Sequence, residues 1–386
     1  MKKLAICLYK FFPFGGLARD AVRILSICRQ HGYQIKLFVM ECHGDIPDGF
    51  DIEVIEAKGL TNHQKVASYI EQVKTRLADD PYDLIVGFNK IPGLDLYYAA
   101  DPCYIDRVKN QVNYSVMRFS PRVKFYSYCE DAVFNRTVDT VALMISDVQR
   151  DLFKQHYATP DERLIMLPPG IDPNRKRPDD WQQQRQYMRQ ELNVTDDEFL
   201  LLMVGTGFKT KGVDRSIAAL AALPARLKDK TRLFIVGEGE TAPYDKQARG
   251  LGVSQQVTFF GGRSDVPQFL LAADLLLHPA RKENTGTVIL EAIVAGLPAM
   301  VSEVCGYAHH VQQAASGLLL SSPFQQDEFD LKLITMLENK PLVEWSENAL
   351  AYAANEDLYS MPDKAAAIIE QMAIEKRAKE GKEARY

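Results

Sequence analysis

The chain has 386 residues, 46% of them hydrophobic and 25% charged, with a formal net charge of −5. That length suits two domains of roughly 100–200 residues each, and the acidic balance excludes an overall nucleic-acid-binding surface, which needs a basic face. The six cysteines (Cys7, Cys28, Cys42, Cys103, Cys129 and Cys305) form no C-x-x-C pair, which argues against a zinc site or disulfide framework and fits a reducing compartment.

The apolar run Leu4–Tyr9 is too short for a signal peptide or a membrane span and reads as a buried strand. A turn follows at Phe12-Pro13-Phe14-Gly15-Gly16, then a helical pattern from Leu17 to Gln30, a stop at Gly32, and a strand over Tyr33–Met40. This βαβ unit implies a parallel sheet. The alternation continues with Ile52–Glu56, a helix over His63–Leu77, Leu84–Phe88, a helical stretch before Asp101, Val141–Ile145, a helix over Asp147–His156, and Arg163–Leu167. Residues 171–195 are polar and Pro-rich before turning helical, and a domain boundary is placed here, giving domains 1–168 and 169–355. The pattern restarts with strands at Leu200–Val204, Arg232–Val236, Val257–Phe260, Leu275–Leu277 and Ala299–Val301, and helices over Val213–Leu223 and Leu290–Ala295, the latter stopped by Gly296. After Pro341 come helices to about Ala354 and over Asp363–Met372, then a charged tail that reads as solvated. No segment reaches about 18 apolar residues, so the chain is expected in the cytoplasm.

The strongest chemical signal is Glu283-Asn284-Thr285-Gly286-Thr287-Val288-Ile289-Leu290-Glu291. A Gly-bearing turn opening a helix presents free N–H groups to an anion, which makes Thr285, Gly286, Thr287 and Val288 a candidate diphosphate seat. Glu283 then falls beside the group attached to the diphosphate and Glu291 within reach of a ribose; two surface glutamates around a helix start fit the bare spacing equally well. Gly205-Thr206-Gly207-Phe208-Lys209-Thr210-Lys211-Gly212 follows a strand and precedes a helix, where parallel sheets bind ligands. Lys211, and Lys209 beside it, could neutralise a diphosphate; taken alone, the segment fits a solvated basic turn better. The segment lacks the K-[ST] step of an NTPase loop. Gly15-Gly16 at the first βα turn permits close backbone approach to a ligand, or is a plain tight turn.

These segments, with Pro168-Pro169-Gly170-Ile171, occur in the order found in glycosyltransferase family 4, which the chain resembles. Within it, the blocks Leu8–Leu17, Val86–Asp95, Lys211–Ser216 and Val304–His309 resemble the lipopolysaccharide core heptose glucosyltransferase I branch, and the resemblance extends to about Met372. It implies an α/β GT-B fold: two facing Rossmann-like domains with parallel sheets and a C-terminal helix, within 356–386, crossing back to the first domain. It implies retaining transfer of glucose from UDP-glucose to an inner-core heptose. Glu283 would contact the donor sugar, Glu291 the ribose, Arg175 and Lys211 the diphosphate, and the Gly262-Arg263 turn the uracil. Thr210 stands where the branch usually has Arg, and Asn284-Thr285-Gly286-Thr287 is more polar than the branch's loop. Other hexoses or N-acetylhexosamines, or a non-catalytic nucleotide-sugar binder, are the alternatives.

The chain contains no Asp-x-Asp, so no metal or other cofactor is expected, and Lys, Arg and backbone amides would stabilise the leaving UDP. Retention by a covalent intermediate or by front-face attack fits the sequence alike. Asp101 matches an acceptor-side position and is the candidate to orient or deprotonate the acceptor hydroxyl; a turn Asp before Pro102 is the plainer reading. Lys90, Arg107, Lys109, Arg118, Arg122 and Lys124 are read as acceptor- or membrane-facing. Over residues 104–128 these cations interleave with Tyr104, Tyr114, Phe119, Phe125, Tyr126 and Tyr128, and Asp106 is the only acid. That mixture suits an anionic bilayer surface, here the cytoplasmic face of the inner membrane, or a basic cleft for a lipid-linked core oligosaccharide.

Overall fold

Unbroken apolar runs have no face to offer water, so they become strands covered by helices on both sides. The computed structural model, which describes residues 2–12, 16–44, 46–339 and 342–383, contains two sheets built this way. The first runs, edge to edge, Phe50–Val54, Tyr33–Val39, Lys2–Cys7, Leu84–Gly87, Leu96–Ala99, Val141–Met144 and Leu164–Met166, parallel throughout. The second runs Val257–Phe259, Thr231–Val236, Phe199–Val204, Leu275–His278, Ala299–Ser302 and Gly317–Leu320, also parallel throughout. In each, strand order reverses beside the first strand of the unit, between Lys2–Cys7 and Leu84–Gly87 and between Phe199–Val204 and Leu275–His278. Such reversals are where doubly wound sheets open a crevice beyond the strand C-termini.

The chain divides into Met1–Gly170 with Tyr359–Tyr386, and Ile171–Leu358. In the first unit, helix Gly16–Gln30 and the C-terminal helix Met361–Glu383 cover one sheet face, burying Ile24, Leu25, Ala365, Ala366 and Ile369 together. Tyr69, Val73, Phe134 and Phe153 fill the other face. The C-terminal helix continues past Met372, and its charged turn is not merely solvated. Lys376 Nζ donates to Asp95 at 2.7 Å and Arg377 Nε to Asp83 at 2.8 Å. A second correction concerns Leu96–Ala99, read as helical: it is a fully buried strand, so Asp101 stands just beyond a strand end. The strand Gly317–Leu320 was not anticipated.

A third correction concerns Lys90. Its ammonium is buried, not presented outward: it pairs with the fully buried Glu130, donates to the Pro102 carbonyl at 2.8 Å and lies 5.0 Å from the centroid of the Phe153 ring. Glu130 also accepts the N–H groups of Tyr104 (2.7 Å) and Ile105 (3.0 Å) and the Tyr157 hydroxyl (2.8 Å). Burial opposes its ionisation, but Lys90 and these donors outweigh burial and hold the carboxyl below its ordinary range. This hub fixes the start of helix Tyr104–Lys109 immediately after Asp101. Lys90→Met would leave Glu130 as an uncompensated buried charge and should cost about 3–5 kcal/mol. Equilibrium urea denaturation checks this, and a loss near zero would show that the pair is dispensable.

Candidate active site

The second unit gathers most of the predicted site at its strand reversal. Phe199–Val204 ends in Gly205-Thr206-Gly207 and a short helix, Phe208–Lys211, pinned by the buried Phe208 against Phe259 and Tyr244. Gly212 then turns the chain with φ +76°, and a Cβ there would stand 2.2 Å from the Pro279 carbonyl oxygen. The loop after the first strand therefore lies directly on the loop after Leu275–His278. Arg281 locks the two together. Its N–H donates to Thr210 O at 2.8 Å, and its guanidinium to Lys209 O at 2.9 Å and to both Asp214 oxygens at 2.7 and 2.6 Å.

Across this junction Lys211 Nζ donates to the Glu283 carboxylate, and His278 Nε2 lies 3.3 Å from the same oxygen. His278 is the last residue of its strand and is 1% exposed. Burial lowers its pKa, helped by the Lys211 charge and opposed by Glu283. The ring is therefore neutral near pH 7, with the Nε2 proton assigned from its contact with Glu283. For Glu283, burial alone would raise the pKa, but the His278 hydrogen bond and the Lys211 ammonium prevail and bring it down to about 2. The carboxylate is thus ionised across the physiological range.

Beyond Glu283, Gly286 opens helix Thr287–Ala295 in a left-handed conformation, φ +85°, where a Cβ would stand 2.7 Å from Ile289 Cδ1. The Thr285 carbonyl accepts the Tyr307 N–H at 2.8 Å, which steadies the turn. The helix ends at Gly296. Glu291 lies one turn inside it, with Arg175 Nε 3.8 Å away. Arg175 closes the 3-10 turn Pro173–Arg175, whose start is capped by Asp172 accepting from Asn174 N at 3.0 Å. Lys211, Glu283, Thr285–Val288, Glu291 and Arg175 thus occupy the loops and helix start at one sheet end. Lys209 contributes its carbonyl to the Arg281 clamp, and its side chain is exposed. Arg263 is exposed and paired with Asp265 in its own turn at 2.8 and 2.6 Å.

In the first unit Asp101 is half-buried beyond Leu96–Ala99. Its Oδ2 accepts from Asn89 Nδ2 at 3.3 Å, and Asn89 Oδ1 accepts the Tyr9 N–H at 2.8 Å. Gly16 begins its helix, while Gly15 lies outside the described residues. Arg107, Lys109, Arg118, Arg122 and Lys124 are exposed, as are Val112, Val116, Phe119 and Tyr128. Among the described residues none of these five cations pairs with a carboxylate; Arg107 and Arg118 rest on the rings of Tyr104 and Phe119. No helix among the described residues is long and apolar enough to cross a membrane. His278, Arg281, Asp214 and Asn89 were missed. The one available signal was position: His278 and Asn89 sit at the ends of apolar strand runs.

An ionised carboxylate beside an ammonium, next to a helix N-terminus, suits a ligand that carries both an anionic group and hydroxyls. The family model of glycosyl transferases group 1 matches residues 184–355. The lipopolysaccharide glucosyltransferase WaaG of Escherichia coli (strain K12) is 44% identical over 367 residues, covering 95% of this chain and 98% of that protein. The chain belongs to the group 1 glycosyltransferase family. The crystal structure of WaaG, a glycosyltransferase involved in lipopolysaccharide biosynthesis, superposes with a TM-score of 0.89 at 43% identity, over 95% of this chain and 99% of that one. Anabaena Alr3699/HepE, solved with UDP and glucose, matches with a TM-score of 0.74 at 19% identity over 96% of this chain and 100% of its own, a likeness of fold. The fold is GT-B, as the sequence led us to expect.

The shift at Glu283 has a consequence for stability. A carboxyl at 4.5 when unfolded and about 2 when folded contributes stability that is complete above about pH 5 and is lost as pH falls toward 2. Glu283→Gln should therefore be less stable than the parent at pH 7, with the gap narrowing between pH 5 and pH 3. Urea midpoints at several pH values test this; a gap independent of pH would show that the ion pair does not set the titration.

Proposed function

We propose that this glycosyltransferase moves glucose from UDP-glucose to a heptose of the lipopolysaccharide inner core, with retention at the anomeric carbon and without a metal ion. The observation that carries the reading is the 44% identity to WaaG across 98% of that enzyme's length. The geometry of the strand reversal supports it. The uracil rests at the Gly262-Arg263 turn, and Glu291, oriented by Arg175, accepts from the ribose hydroxyls. The diphosphate lies at the helix start Thr285–Val288, where backbone N–H groups, Lys211 and Arg175 oppose its charge, with Lys209 nearby. When the diphosphate arrives, Lys211 gains a second anionic partner and Glu283 is released toward the hydroxyls of the donor sugar. As the bond from the anomeric carbon to the diphosphate oxygen breaks, these cations stabilise the departing UDP, and no proton has to reach it. On the acceptor side Asp101, oriented by Asn89, takes the proton of the attacking hydroxyl. The exposed cations Arg107, Lys109, Arg118, Arg122 and Lys124, with the apolar residues among them, hold the protein peripherally on the anionic cytoplasmic face of the inner membrane, where the lipid-linked acceptor is presented.

The polar loop Asn284-Thr285-Gly286-Thr287 favours a second reading, another hexose or N-acetylhexosamine as donor to the same acceptor class. A donor screen separates the two. Purified protein receives UDP-glucose, UDP-galactose, UDP-N-acetylglucosamine or GDP-mannose, with and without heptose-terminated core lipopolysaccharide, in the presence of chelator. Acceptor-dependent UDP release from UDP-glucose is the expected result. Release from a different donor overturns the sugar, and release only after a divalent ion is restored overturns metal independence. Lys211→Ala should lower kcat/KM by about 10²–10³. Asp101→Asn should slow transfer with donor binding unchanged, and a full rate would remove Asp101 from the mechanism.

A further inference from the structure

In the first unit, helices Asn62–Asp79 and Pro121–Phe134 pack on the same sheet face and meet where the His63 and Phe125 rings lie 6.3 Å apart. Between them lies a cavity of about 510 Å³, walled by Ile70 and Leu77 from one helix and Phe125 and Tyr128 from the other, with Ile85 and Ile91 in its floor. That volume falls within the ~300–1,000 Å³ of small-molecule sites. Nearly all of the lining is apolar, and only Glu71 and Lys74 bring charge to it. Lys74 is exposed and enters no ion pair among the described residues.

The cavity shares Tyr128 with the exposed residues described above. Phe125 and Tyr128 lie three residues apart, so one face of their helix points both rings toward the cavity. Lys124, exposed and unpaired, precedes Tyr128 by one turn on the same stripe, and Arg122 lies on the first turn. Tyr128 is 59% exposed, so its ring is shared between cavity and solvent; Phe119 at 60% and Val116 at 74%, earlier in the same segment, are exposed outside the lining. An apolar slot with Lys74 and Glu71 in its lining and Lys124 one turn from Tyr128, two cations to one acid, is complementary to one molecule that joins a hydrocarbon chain to an anionic head.

We propose that this groove receives one acyl chain of an anionic glycerophospholipid, with the headgroup phosphate held by Lys74 and Lys124. The proposal rests on the membrane reading above and adds to it a defined pocket. Surface attraction alone is screened by salt, whereas a chain in the groove removes apolar surface from water and persists when the charges are screened.

The test titrates the full-length protein with monomeric dihexanoyl phosphatidylglycerol, using dihexanoyl phosphatidylcholine and glycerol 3-phosphate as controls. Vesicles of phosphatidylglycerol and phosphatidylcholine are sedimented with it in parallel. Saturable binding of the first lipid is expected, at least ~tenfold weaker for each control. Ile70→Trp and, separately, Leu77→Trp fill the groove and should weaken it ~tenfold, with melting temperatures recorded to show that each variant is folded. Lipid binding that both folded variants retain overturns the groove. Vesicle binding without monomeric lipid binding also overturns it and leaves the membrane reading standing. If no vesicles are bound but the lipid still binds in a groove-dependent way, the membrane reading fails and the groove stands.

Discussion

Lys211 and Glu283 are brought together by two loops that could not otherwise tolerate such close approach. The contact depends on the missing side chain at Gly212, because any Cβ there would meet the Pro279 carbonyl. It depends also on Arg281, which spends its backbone N–H and its guanidinium on the opposite loop and on Asp214. Asp214 has its own pKa lowered by Arg281 against the pull of burial, so the clamp is an ionised, bidentate pair, the strong form of such contacts. With the loops fixed, Glu283 meets Lys211 and His278, and its ionisation follows. A carboxylate held charged in this way can accept from hydroxyl donors across the physiological pH range.

The two sheets use their reversal points differently. In the second unit the reversal carries a cation and an anion, suited to a charged ligand whose own phosphates can exchange with the carboxylate on Lys211. In the first, Tyr9, Asn89 and Asp101 form a chain of neutral donors ending on a single carboxylate. The buried Lys90–Glu130 hub holds the segment after Asp101. On the proposed function this division is chemically sensible. The donor's departing diphosphate needs fixed positive charge, while the acceptor hydroxyl needs a base.

How much of this could be read in the sequence depended on how local each signal was. Phe199–Val204 is an unbroken apolar run with no polar face to offer, and both sheets were legible from such runs. Leu96–Ala99 was misread because Leu-Tyr-Tyr-Ala-Ala lacks β-branched residues and carries no period to separate strand from helix; burial on both faces decided it. Glu283 and Glu291 were visible because a turn and a helix start lie between them. Lys90 was assigned to the surface because its partner, Glu130, is forty residues away, and nothing near Lys90 advertises a buried carboxylate. Arg281 had the same difficulty: its acceptors at Lys209 and Thr210 come from another strand's loop.

Charge is distributed unevenly in a way that folding alone does not require. With 51 acidic and 46 basic side chains, most exposed cations have an acid to meet, and many do: Lys36 lies 3.0 Å from Asp51 and 3.2 Å from Glu53, and Arg150 lies 3.0 Å from Asp147. Residues 104–128 depart from this pattern, with five exposed cations and Asp106 as the single acid. Placing them in water costs no desolvation, so they do not threaten the fold. Their mutual repulsion is nonetheless felt within the ~8 Å over which physiological salt lets charges act. The same segment exposes Val112, Val116 and Phe119, which gain nothing from solvent. On the proposed function, a bilayer of acidic lipids, polyanionic and oily in one surface, relieves the repulsion and the apolar exposure together.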